Sequence, residues 1–565
     1  MYRAPVRELR FVLDELLAVQ SLHGLADYSP ELAESVLNEA ARFAETVLDP
    51  LNQTGDREGA RWTPEGVVTP KGFKEAYRQF VEGGWPQLGA SIEHGGQDVP
   101  QALATAVQET WASANLSFKL CPMLTRGAVE ALQLCGSPAL KQQFLPKMVS
   151  GEWTGTMVLT EPQAGSDLAQ VRTRAVPEGD HYRLFGQKIF ITWGDHDLTD
   201  NIIHMVLARI EGAPAGVKGI SLFVVPKFLS GPNEVRCVSI EHKLGIHASP
   251  TCVLAFGDQK GAIAYLIGEP NRGLEYMFVM MNAARLSVGV EGYAVAERAF
   301  QRAAEWARTR VQGKNVAIIQ HPDVKRMLLT MKAGTEAMRA LGLYAAFQLD
   351  RAQHHEDSRV RVDAQARADL LIPIVKGWCT ELGNEMAGMG VQVHGGMGFI
   401  EETGAAQYVR DVRITTIYEG TTGIQANDLL GRKIGRDQGA AMNALIAEMQ
   451  RELQGLQAAP ALEGVNVLRE ATQTLLQTMT QSPERALAVA VPYLQLAGFV
   501  CGGWLMAKSA ALAATKRSGA ERDFYEAKIQ TARFYAEHLL PRALALGRVV
   551  TQGGASVADS DAALI

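Results

Sequence analysis

Three glycine-rich segments hold the side chains of this sequence that could do chemistry. They are residues 160–167 (TEPQAGSD), 391–399 (VQVHGGMGF) and 418–424 (YEGTTGI). Glycine lets backbone N–H groups approach a flat or anionic ligand closely, and the hydroxyl and carboxylate side chains beside it can bind a ligand or exchange protons. Taken singly, each segment is equally compatible with an ordinary turn, a helix end or a capped helix start.

Several familiar motifs are absent from the sequence. There is no GxGxxG after a strand, no GxxxxGK[ST], no HExxH and no GxSxG, so Rossmann-type dinucleotide binding and hydrolase chemistry lose their main support. The 6 cysteines are scattered, without a CxxC pair or a Cys/His cluster at metal-ligand spacing. We therefore expect neither a disulfide framework nor a bound metal.

Composition predicts a globular protein of several domains. The chain has 565 residues, 47% of them hydrophobic, and a formal net charge of −6, which is too hydrophobic and too weakly charged for disorder. A basic surface for nucleic acid is not indicated. The first residues lack the apolar core of a signal peptide, so we expect a cytoplasmic protein.

The elements that must position the three segments change type along the chain. Residues 1–155 have helical periodicity, with Ser29-Pro30 and Ser137-Pro138 as helix starts. Residues 156–270 contain short β-rich runs, which predict a compact antiparallel barrel or sandwich. Helical periodicity returns in 271–435, including a long pattern from Met277 to Ala294, and continues in 436–565. The five β-rich runs are MVLT (157–160), KIFIT (188–192), HMVLARI (204–210), ISLFVV (220–225) and TCVLAF (251–256).

One stretch of the last segment approaches the composition of a membrane span. Residues 486–507 contain no charged residue and are mostly apolar. Pro492, Gln495 and the Gly502-Gly503 pair interrupt the run. We therefore expect buried helices there, and no integral membrane association.

Five segments together resemble the acyl-CoA dehydrogenase family, in the family's order and at roughly its spacing, over about residues 35–435. The resemblance implies an α+β, mainly α fold with a helical N-terminal domain, a central β-barrel and a helical bundle. The N-terminal extension and the added C-terminal helical segment resemble a longer bacterial branch that includes the 3-methylmercaptopropionyl-CoA dehydrogenases. The five segments are TEPQAGSD, GQKIFITWG, MMNAARLSV, QVHGGMGF and YVRDVRITTIYEGTTGIQ.

This resemblance implies an enzyme of fatty acid β-oxidation that oxidises an acyl-CoA thioester to the trans-2-enoyl-CoA. Removing a proton α to a thioester while a hydride leaves the β carbon needs a base and a hydride acceptor; no side chain accepts hydride, so a flavin must. By resemblance Glu419 is the base, and burial over a flavin would raise its pKa toward that of a useful general base. Arg285, Ser166 and Gly420 are the implied substrate-binding residues, with a helix-surface ion pair as the alternative for Arg285.

The resemblance also assigns residues to FAD. Arg310 and Gln312 would bind the pyrophosphate, and Gln392 and Gly396 would reach the cofactor of a neighbouring subunit, which implies a homodimer or a dimer of dimers. Electron-transfer flavoprotein is the implied electron acceptor. The residues assigned to the ring system and its surroundings are Thr160, Gly165, Ser166, Phe190, Thr192 and Thr421.

Two alternatives stay open at this point. An acyl-CoA oxidase would pass electrons to oxygen instead, and no residue decides between these acceptors. A DNA-binding flavoprotein of the alkylation-response type shares the scaffold, but residues 436–565 contain 12 basic and 12 acidic residues, which gives no electrostatic attraction to DNA. Nitroalkane oxidation is disfavoured because its relatives use Asp where this chain has Glu419. The length of the acyl chain is not determined by the sequence.

Overall fold

The computed structural model describes residues 1–22, 24, 25, 28–313 and 315–564. The chain forms two compact units, each assembled from separate stretches of sequence. The first unit comprises Met1–Ala41, Pro100–Ser113 and Arg285–Ile565, and the second comprises Arg42–Val99 and Ala114–Ala284. The four sequence segments predicted above therefore combine into units that are discontinuous along the chain.

Most of the structure is helical, as the periodicity predicts. Ser29 Oγ accepts a hydrogen bond from Leu32 N at 3.1 Å, and Ser137 Oγ accepts one from Leu140 N, so both predicted helix starts are confirmed. The α-helices are α1 (Val6–Arg10), α2 (Pro30–Phe43), α3 (Asp49–Glu58), α4 (Phe73–Glu82), α5 (Gln101–Ala114), α6 (Leu116–Cys135), α7 (Pro138–Val149), α8 (Gly273–Thr309), α9 (Pro322–His354), α10 (Ser358–His394), α11 (Ala405–Val412), α12 (Thr422–Asn427), α13 (Ala440–Gly455), α14 (Ala459–Gln481), α15 (Pro483–Ala488), α16 (Ala490–Ala514), α17 (Arg522–Phe534), α18 (Pro541–Gln552) and α19 (Gly554–Ala558).

The strands form a small hairpin and a barrel, both in the second unit. The hairpin pairs β1 with β2, within the region that the sequence predicts to be helical. In the barrel the order is β10-β7-β6-β4-β5-β9-β8, and the pairing of β10 with β5 closes the ring. The strands are β1 (Arg61–Thr63), β2 (Gly66–Val68), β3 (Thr154–Val158), β4 (Arg174–Glu178), β5 (His181–Thr192), β6 (Ile202–Ile210), β7 (Ile220–Pro226), β8 (Val235–Ile240), β9 (Thr251–Phe256) and β10 (Ala262–Ile267).

The barrel differs from the antiparallel prediction in its pairing. All five predicted β-rich runs overlap strands, but β3 and β4 both pair with β6 in parallel. Parallel neighbours need a crossover rather than a tight turn, and the chain between β3 and β6 supplies one. The sequence analysis missed β4, β8 and β10; charged or turn-forming residues interrupt the apolar pattern of β4 and β8, whereas β10 (AIAYLI) is a short apolar run that it did not single out.

Close packing of α6 on the barrel fixes the strand that leads into the first glycine-rich segment. A Cβ atom at Gly155 of β3 would lie 2.6 Å from Ala128 Cβ on α6. Thr125 Oγ1, also on α6, accepts a hydrogen bond from Gly155 N at 3.0 Å. The end of β3, where residues 160–167 begin, is therefore held against a helix.

The apolar run at 486–507 is buried, as predicted, and its helical structure is interrupted at Val489 rather than at Pro492, Gln495 or the glycine pair. After the short α15, the single helix α16 passes through Gly502 and Gly503. A glycine of this helix lets Trp378 of α10 pack closely, since a Cβ at Gly498 would lie 2.1 Å from Trp378 Cγ. Within the described part of the chain, α16 alone is long and apolar enough to cross a membrane, and 72% of its most apolar window is buried inside the protein.

The N-terminal segment packs against the C-terminal helices of the first unit through ion pairs. Arg7 Nε donates to Glu521 at 2.6 Å. Lys528 Nζ lies 2.6 Å from Glu8 and 3.0 Å from Glu336 of α9, and all three side chains are largely buried. The two extensions that distinguish this chain are therefore joined to each other.

Candidate active site

Glu419 lies in a turn with an unusual backbone conformation. The turn follows a 3₁₀ segment (Arg413–Thr416) and precedes α12. Glu419 has a φ of +55° and Gly420 a φ of +93°. Non-glycine residues seldom adopt the left-handed region, and where one does, the surrounding structure must hold it there. A side chain at position 420 would be strained at this φ, and its Cβ would lie 2.7 Å from Gln425 Nε2, which would have to move.

Four hydrogen bonds hold this turn in place. Gln425 Nε2, on α12, donates to the carbonyl oxygens of Glu419 at 3.1 Å and of Gly420 at 3.4 Å. Lys376 Nζ, on α10, donates to the carbonyl oxygen of Gly420 at 2.6 Å. Thr421 Oγ1 accepts from Ile424 N at 3.3 Å and so caps α12. The backbone of the turn that carries Glu419 is therefore held by α10 and α12.

The surroundings of Glu419 change its acidity. Burial raises the pKa of Glu419 to about 7, against the opposing effects of Arg285 and Lys376, and Glu291 raises it further. Tyr418 donates its hydroxyl hydrogen to Glu291, which is fully buried on α8. A carboxyl group with a pKa near neutrality can take up a proton from a weak carbon acid more effectively than an ordinary surface carboxylate.

Arg285 is a buried residue and not part of a helix-surface ion pair. Its side chain on α8 is 3% exposed, and Nη1 lies 3.2 Å from Asp428 Oδ2. Burial lowers the pKa of Arg285, whereas Asp428 and Glu419 raise it. Asp428 begins a π-helical segment (Asp428–Ile434), a local irregularity that often occurs at functional sites. Arg285 and Glu419 are thus brought together electrostatically.

In the second unit, Glu161 anchors the TEPQAGSD loop. Its carboxylate accepts hydrogen bonds from Arg172 N at 2.7 Å and from Thr173 N at 2.9 Å. Lys188 of β5, fully buried, lies 2.9 Å from Glu161 and donates to the carbonyl oxygen of Leu159 at 2.7 Å. The hydrogen bonds and the cation lower the pKa of Glu161 to about 2, in spite of its burial. The loop is therefore tied to the barrel at its base.

A bulge in β5 faces this loop. The register of β5 against β9 shifts between Lys188 and Ile191. Within the bulge Phe190 has a φ of +60° and a side chain that is 58% exposed, while Ile189 N donates to the carbonyl oxygen of Thr160 at 2.9 Å. Bulges re-aim side chains and are common beside active sites. Thr160 and Phe190 are therefore neighbours at one end of the barrel.

The hydroxyl groups at this end are available to a ligand. The side chains of Thr160, Ser166 and Thr192 make no hydrogen bond to any other residue in the described part of the chain. A Cβ atom at Gly165 would meet nothing within 4 Å, so its backbone faces open space. An exposed aromatic ring, open glycine backbone and uncommitted hydroxyls suit a flat, polar-edged ring system such as a flavin.

Arg310 and Gln312 lie in the loop after α8. Arg310 is exposed, lies 5.9 Å from the centre of the Trp306 ring, and forms no ion pair within the described residues. The Trp306 ring stacks on His394 at the end of α10, with ring centres 5.3 Å apart. This stacking joins the Arg310 loop to the QVHGGMGF segment. A guanidinium without a carboxylate partner can bind a phosphate group.

Gln392 and Gly396 are exposed and lie on either side of the end of α10. The 3₁₀ segment that follows (Gly395–Phe399) presents apolar side chains to the surface, with Phe399 87% exposed and Met397 41% exposed. Neither Gln392 nor Gly396 contacts the turn of Glu419 in any hydrogen bond found among the described residues.

Two groups of predicted residues are therefore assembled, one in each unit. The first unit brings together Glu419, Gly420, Thr421 and Arg285. The second holds Thr160 beside the β5 bulge that contains Phe190, and it also contains Gly165, Ser166 and Thr192. Arg310 and Gln312, like Gln392 and Gly396, form separate exposed groups in the first unit.

The sequence analysis missed three charged residues that support these groups: Lys376, Asp428 and Lys188. A signal for them existed. Lys376 interrupts an otherwise apolar helical run (LLIPIVKGWC), and Lys188 begins the β-rich run KIFIT. A charged side chain in such a position is buried and needs a partner, which a search for motifs alone does not reveal.

Models of known domains match nearly the whole chain. The matches are to the N-terminal domain of acyl-CoA dehydrogenases (residues 30–152), the middle domain (156–259) and the C-terminal domain (271–434). Residues 439–561 match a model described as acetyl-CoA dehydrogenase C-terminal like.

Individual relatives match at full length. The chain is 47% identical over 585 residues to 3-methylmercaptopropionyl-CoA dehydrogenase of Ruegeria pomeroyi, covering 98% of this chain and 99% of the relative. It is 35% identical to the broad-specificity linear acyl-CoA dehydrogenase FadE5 of Mycobacterium tuberculosis, covering 96% of each. The predicted longer branch is therefore confirmed.

A solved structure shares the fold. The acyl-CoA dehydrogenase of Bacillus anthracis, complexed with FAD, superimposes with a TM-score of 0.77 at 20% identity, covering 94% of this chain and 90% of that chain. Together with the domain matches and the full-length relatives, this shows that the chain belongs to the acyl-CoA dehydrogenase family.

Proposed function

We propose that this enzyme oxidises an acyl-CoA thioester to the trans-2-enoyl-CoA, with Glu419 as the base that removes the α-proton. Membership of the acyl-CoA dehydrogenase family supports the reaction. The observation that carries the assignment of the base is the position of Glu419 in a left-handed turn, between Arg285 and Lys376 and with a pKa raised to about 7.

Glu419 takes the proton in this reaction. Burial destabilises its charged form, so the carboxylate is a stronger base than one in water, yet the nearby cations keep enough of it ionised at neutral pH. Arg285, held by Asp428, provides a fixed positive charge beside the base, where it can orient the thioester end of the substrate.

FAD is the cofactor of this reaction. The residues that would hold it are Thr160, Gly165, Ser166, Phe190 and Thr192 around the ring system, with Arg310 and Gln312 for the pyrophosphate; Thr421 is a further contact. When bound, FAD supplies the hydride acceptor for the β carbon. The uncommitted hydroxyls of the barrel and the unpaired guanidinium of Arg310 support this assignment.

The acyl group to test first is 3-methylmercaptopropionyl. The relative that is 47% identical over almost the whole chain acts on this thioester by its name, whereas the 35% identical relative is named for broad specificity toward linear acyl groups. 3-Methylmercaptopropionyl-CoA, with its short thioether-containing acyl group, is therefore tested first. Linear acyl-CoA thioesters of increasing length serve as the comparison.

A homodimer or dimer of dimers is the proposed assembly. Gln392 and Gly396 are exposed and next to the apolar side chains of Met397, Phe399 and Ile400, which are 41%, 87% and 44% exposed. Exposed apolar groups of this size favour a subunit contact. Light scattering at the mass of a single chain, with FAD bound, would contradict this assembly.

Electron-transfer flavoprotein is the proposed electron acceptor, as the resemblance implies. Neither the oxidase alternative nor the DNA-binding alternative gains support from the relatives. Reoxidation of the substrate-reduced enzyme by electron-transfer flavoprotein should be much faster than reoxidation by dissolved oxygen. Fast formation of hydrogen peroxide with slow transfer to the flavoprotein would instead favour the oxidase.

Replacement of the base tests the assignment. Glu419→Gln keeps size and much of the hydrogen bonding, so FAD content and thioester binding should stay near normal. The rate of flavin reduction should fall by about 10²–10⁴-fold, as expected for loss of a positioned general base. Glu463→Gln, which changes an exposed carboxylate on α14, is the matched control and should reduce at the normal rate.

Near-normal flavin reduction by Glu419→Gln would mean that another group takes the proton. Positions 283 and 284, just before Arg285, are both Ala, so no carboxylate stands there to replace it. A loss of FAD in the variant would instead indicate a structural role for Glu419 in the turn.

A further inference from the structure

We infer that Lys376 is a positioning residue for the base: its buried ammonium group holds the turn that carries Glu419 and supplies positive charge that favours the ionised carboxylate. The inference rests on the proposed function, since it concerns the same proton transfer. It assigns a role to a side chain of α10, a helix that the candidate site otherwise reaches only at its C-terminal end.

The contact between Lys376 and the turn is direct. Lys376 Nζ donates to the carbonyl oxygen of Gly420, the residue after the base, at 2.6 Å. Gln425 Nε2 donates to the preceding carbonyl oxygen, that of Glu419, at 3.1 Å. Gln425 Nε2 also reaches the Gly420 carbonyl oxygen at 3.4 Å. Side chains from two different helices therefore hold successive peptide groups, which keeps Glu419 at its φ of +55°.

Lys376 lies at a buried site where a charged side chain reduces the stability of the folded protein. Its side chain is 0% exposed and lies in the apolar run LLIPIVKGWC. No carboxylate of the described residues forms an ion pair with Nζ, whose hydrogen-bond acceptor is the Gly420 carbonyl. Burying an ammonium without a close counter-ion disfavours folding, so a methionine or leucine would suit packing better. A cation at this place is explained if the turn and its carboxylate need it.

The charged groups around the base come from two helices. α8 contributes Arg285, which lowers the pKa of Glu419, and Glu291, which raises it. α10 contributes Lys376, which lowers it. Glu381, also on α10, acts on Lys376 and accepts a hydrogen bond from Thr422 Oγ1 at 2.6 Å. Two cations thus oppose one carboxylate beside the base.

Lys376 is charged in the pH range where the base works. Burial lowers the pKa of Lys376 to about 8, and the carboxylates of Glu419, Glu291 and Glu381 oppose this effect. Below that value the ammonium persists and stabilises ionised Glu419. Removing it raises the pKa of Glu419, so the rate of proton removal, which needs the carboxylate, should reach its plateau at higher pH.

The test compares Lys376→Met with the unchanged holoenzyme over a range of pH. The midpoint of the rise in anaerobic flavin reduction should move up by about one unit, so the rate should fall about tenfold at a pH one unit below the normal midpoint. The infrared band of the protonated carboxyl group, identified as the band that Glu419→Gln removes, should titrate with the same higher midpoint. This second readout does not depend on turnover.

Lys508→Met is the matched control. It removes a partly buried ammonium from α16 of the same unit, and it should leave both midpoints unchanged. If Lys376→Met does not fold, Lys376→Gln carries the same expectation, because it offers an N–H donor to Gly420 without the charge.

Unchanged midpoints in the Lys376 variants, with reduction abolished in Glu419→Gln, would overturn the inference and leave the proposed function standing. Near-normal reduction by Glu419→Gln would overturn the proposed function and the inference with it. The inference predicts higher midpoints in the Lys376 variants, in both the rate and the infrared titration, and unchanged midpoints in Lys508→Met.

Discussion

Residues of opposite charge compete to set the acidity of Glu419. Arg285 and Lys376 favour its ionised form, while burial and Glu291 favour its protonated form, and the balance raises the pKa to about 7. Since the base must be ionised, flavin reduction should increase as the pH rises through about 7. At neutral pH the rate of flavin reduction is then near its midpoint, where a small change in the charges around Glu419 changes the rate strongly.

Replacing Glu291 should shift the pH midpoint of flavin reduction in the direction opposite to that expected when Lys376 is replaced. Glu291→Gln removes a buried negative charge that raises the pKa of Glu419, while the amide oxygen can still accept the hydrogen bond from Tyr418. The pH midpoint of flavin reduction should therefore move down. A midpoint that moves up, measured by anaerobic stopped flow, would contradict this electrostatic account of the site.

Glu419 itself should affect stability in a pH-dependent way. Its folded-state pKa of about 7 is above the value of about 4.3 for an unfolded chain. The folded state therefore loses stability as the pH rises from about 4.3 to about 7, because only the unfolded chain ionises freely. Glu419→Gln should raise the unfolding temperature at pH 8 and change it little at pH 4.5; equal effects at both would argue against the raised pKa.

At the scale of single elements, the bulge of β5 and the TEPQAGSD loop depend on the pair of Lys188 and Glu161. Lys188→Met would leave the Glu161 carboxylate buried without its cation and release the Leu159 carbonyl. Breaking a buried pair in this way costs about 3–5 kcal/mol of stability. The lost contacts all lie at the base of the TEPQAGSD loop, so we expect this loop to be disturbed first. The variant should purify with much less FAD, as read from the ratio of flavin to protein absorbance.

Arg236→Met is the control for that loss. It breaks an exposed pair with Asp258 in the same unit, in which both side chains are more than half exposed, and should leave the FAD content unchanged. Full FAD content in Lys188→Met would show that the pair does not position the flavin loop.

Local patterns predict elements well where one face is regularly apolar or a cap is present. Ser29 and Ser137 begin helices where the sequence indicates, and the five β-rich runs become strands. The parallel pairing of β3 and β4 with β6 is not predictable in this way, because alternation fixes which face is buried and not which strand is the neighbour. The same limit hides Lys376, whose carbonyl acceptor lies 44 positions away along the chain.

At the scale of the whole molecule, the extensions at the two ends of the chain stabilise the first unit together. Lys528 of α17 lies between Glu8 of the N-terminal segment and Glu336 of α9. Lys528→Met would leave Lys332 as the remaining cation shared by the two carboxylates, and removing one partner of this buried cluster costs up to about 3–5 kcal/mol. Calorimetry should give a clearly lower unfolding temperature for this variant.

The control for this change lies on the same helix. Arg533→Met breaks an exposed pair with Glu537 and should change stability by less than about 0.5 kcal/mol. Equal unfolding temperatures for the two variants would mean that the N-terminal segment does not depend on this ion pair.

The composition of the whole chain indicates a globular protein of several domains, but the enzymatic reaction follows only from the five family segments and the full-length relatives. The depth of the acyl pocket is a property of packing between helices, and no local pattern encodes it. For this reason the candidate base can be predicted from sequence, whereas the choice between a methylthio-substituted and a linear acyl group must be measured.

The most direct measurement is anaerobic mixing of the FAD-replete protein with 3-methylmercaptopropionyl-CoA and a series of linear acyl-CoA thioesters of graded length. The absorbance of oxidised flavin should disappear with at least one of them, and the corresponding trans-2-enoyl-CoA should form in equal amount. The thioester that bleaches the flavin fastest identifies the acyl group. Persistence of the oxidised flavin spectrum with every thioester in the series would contradict the proposed reaction.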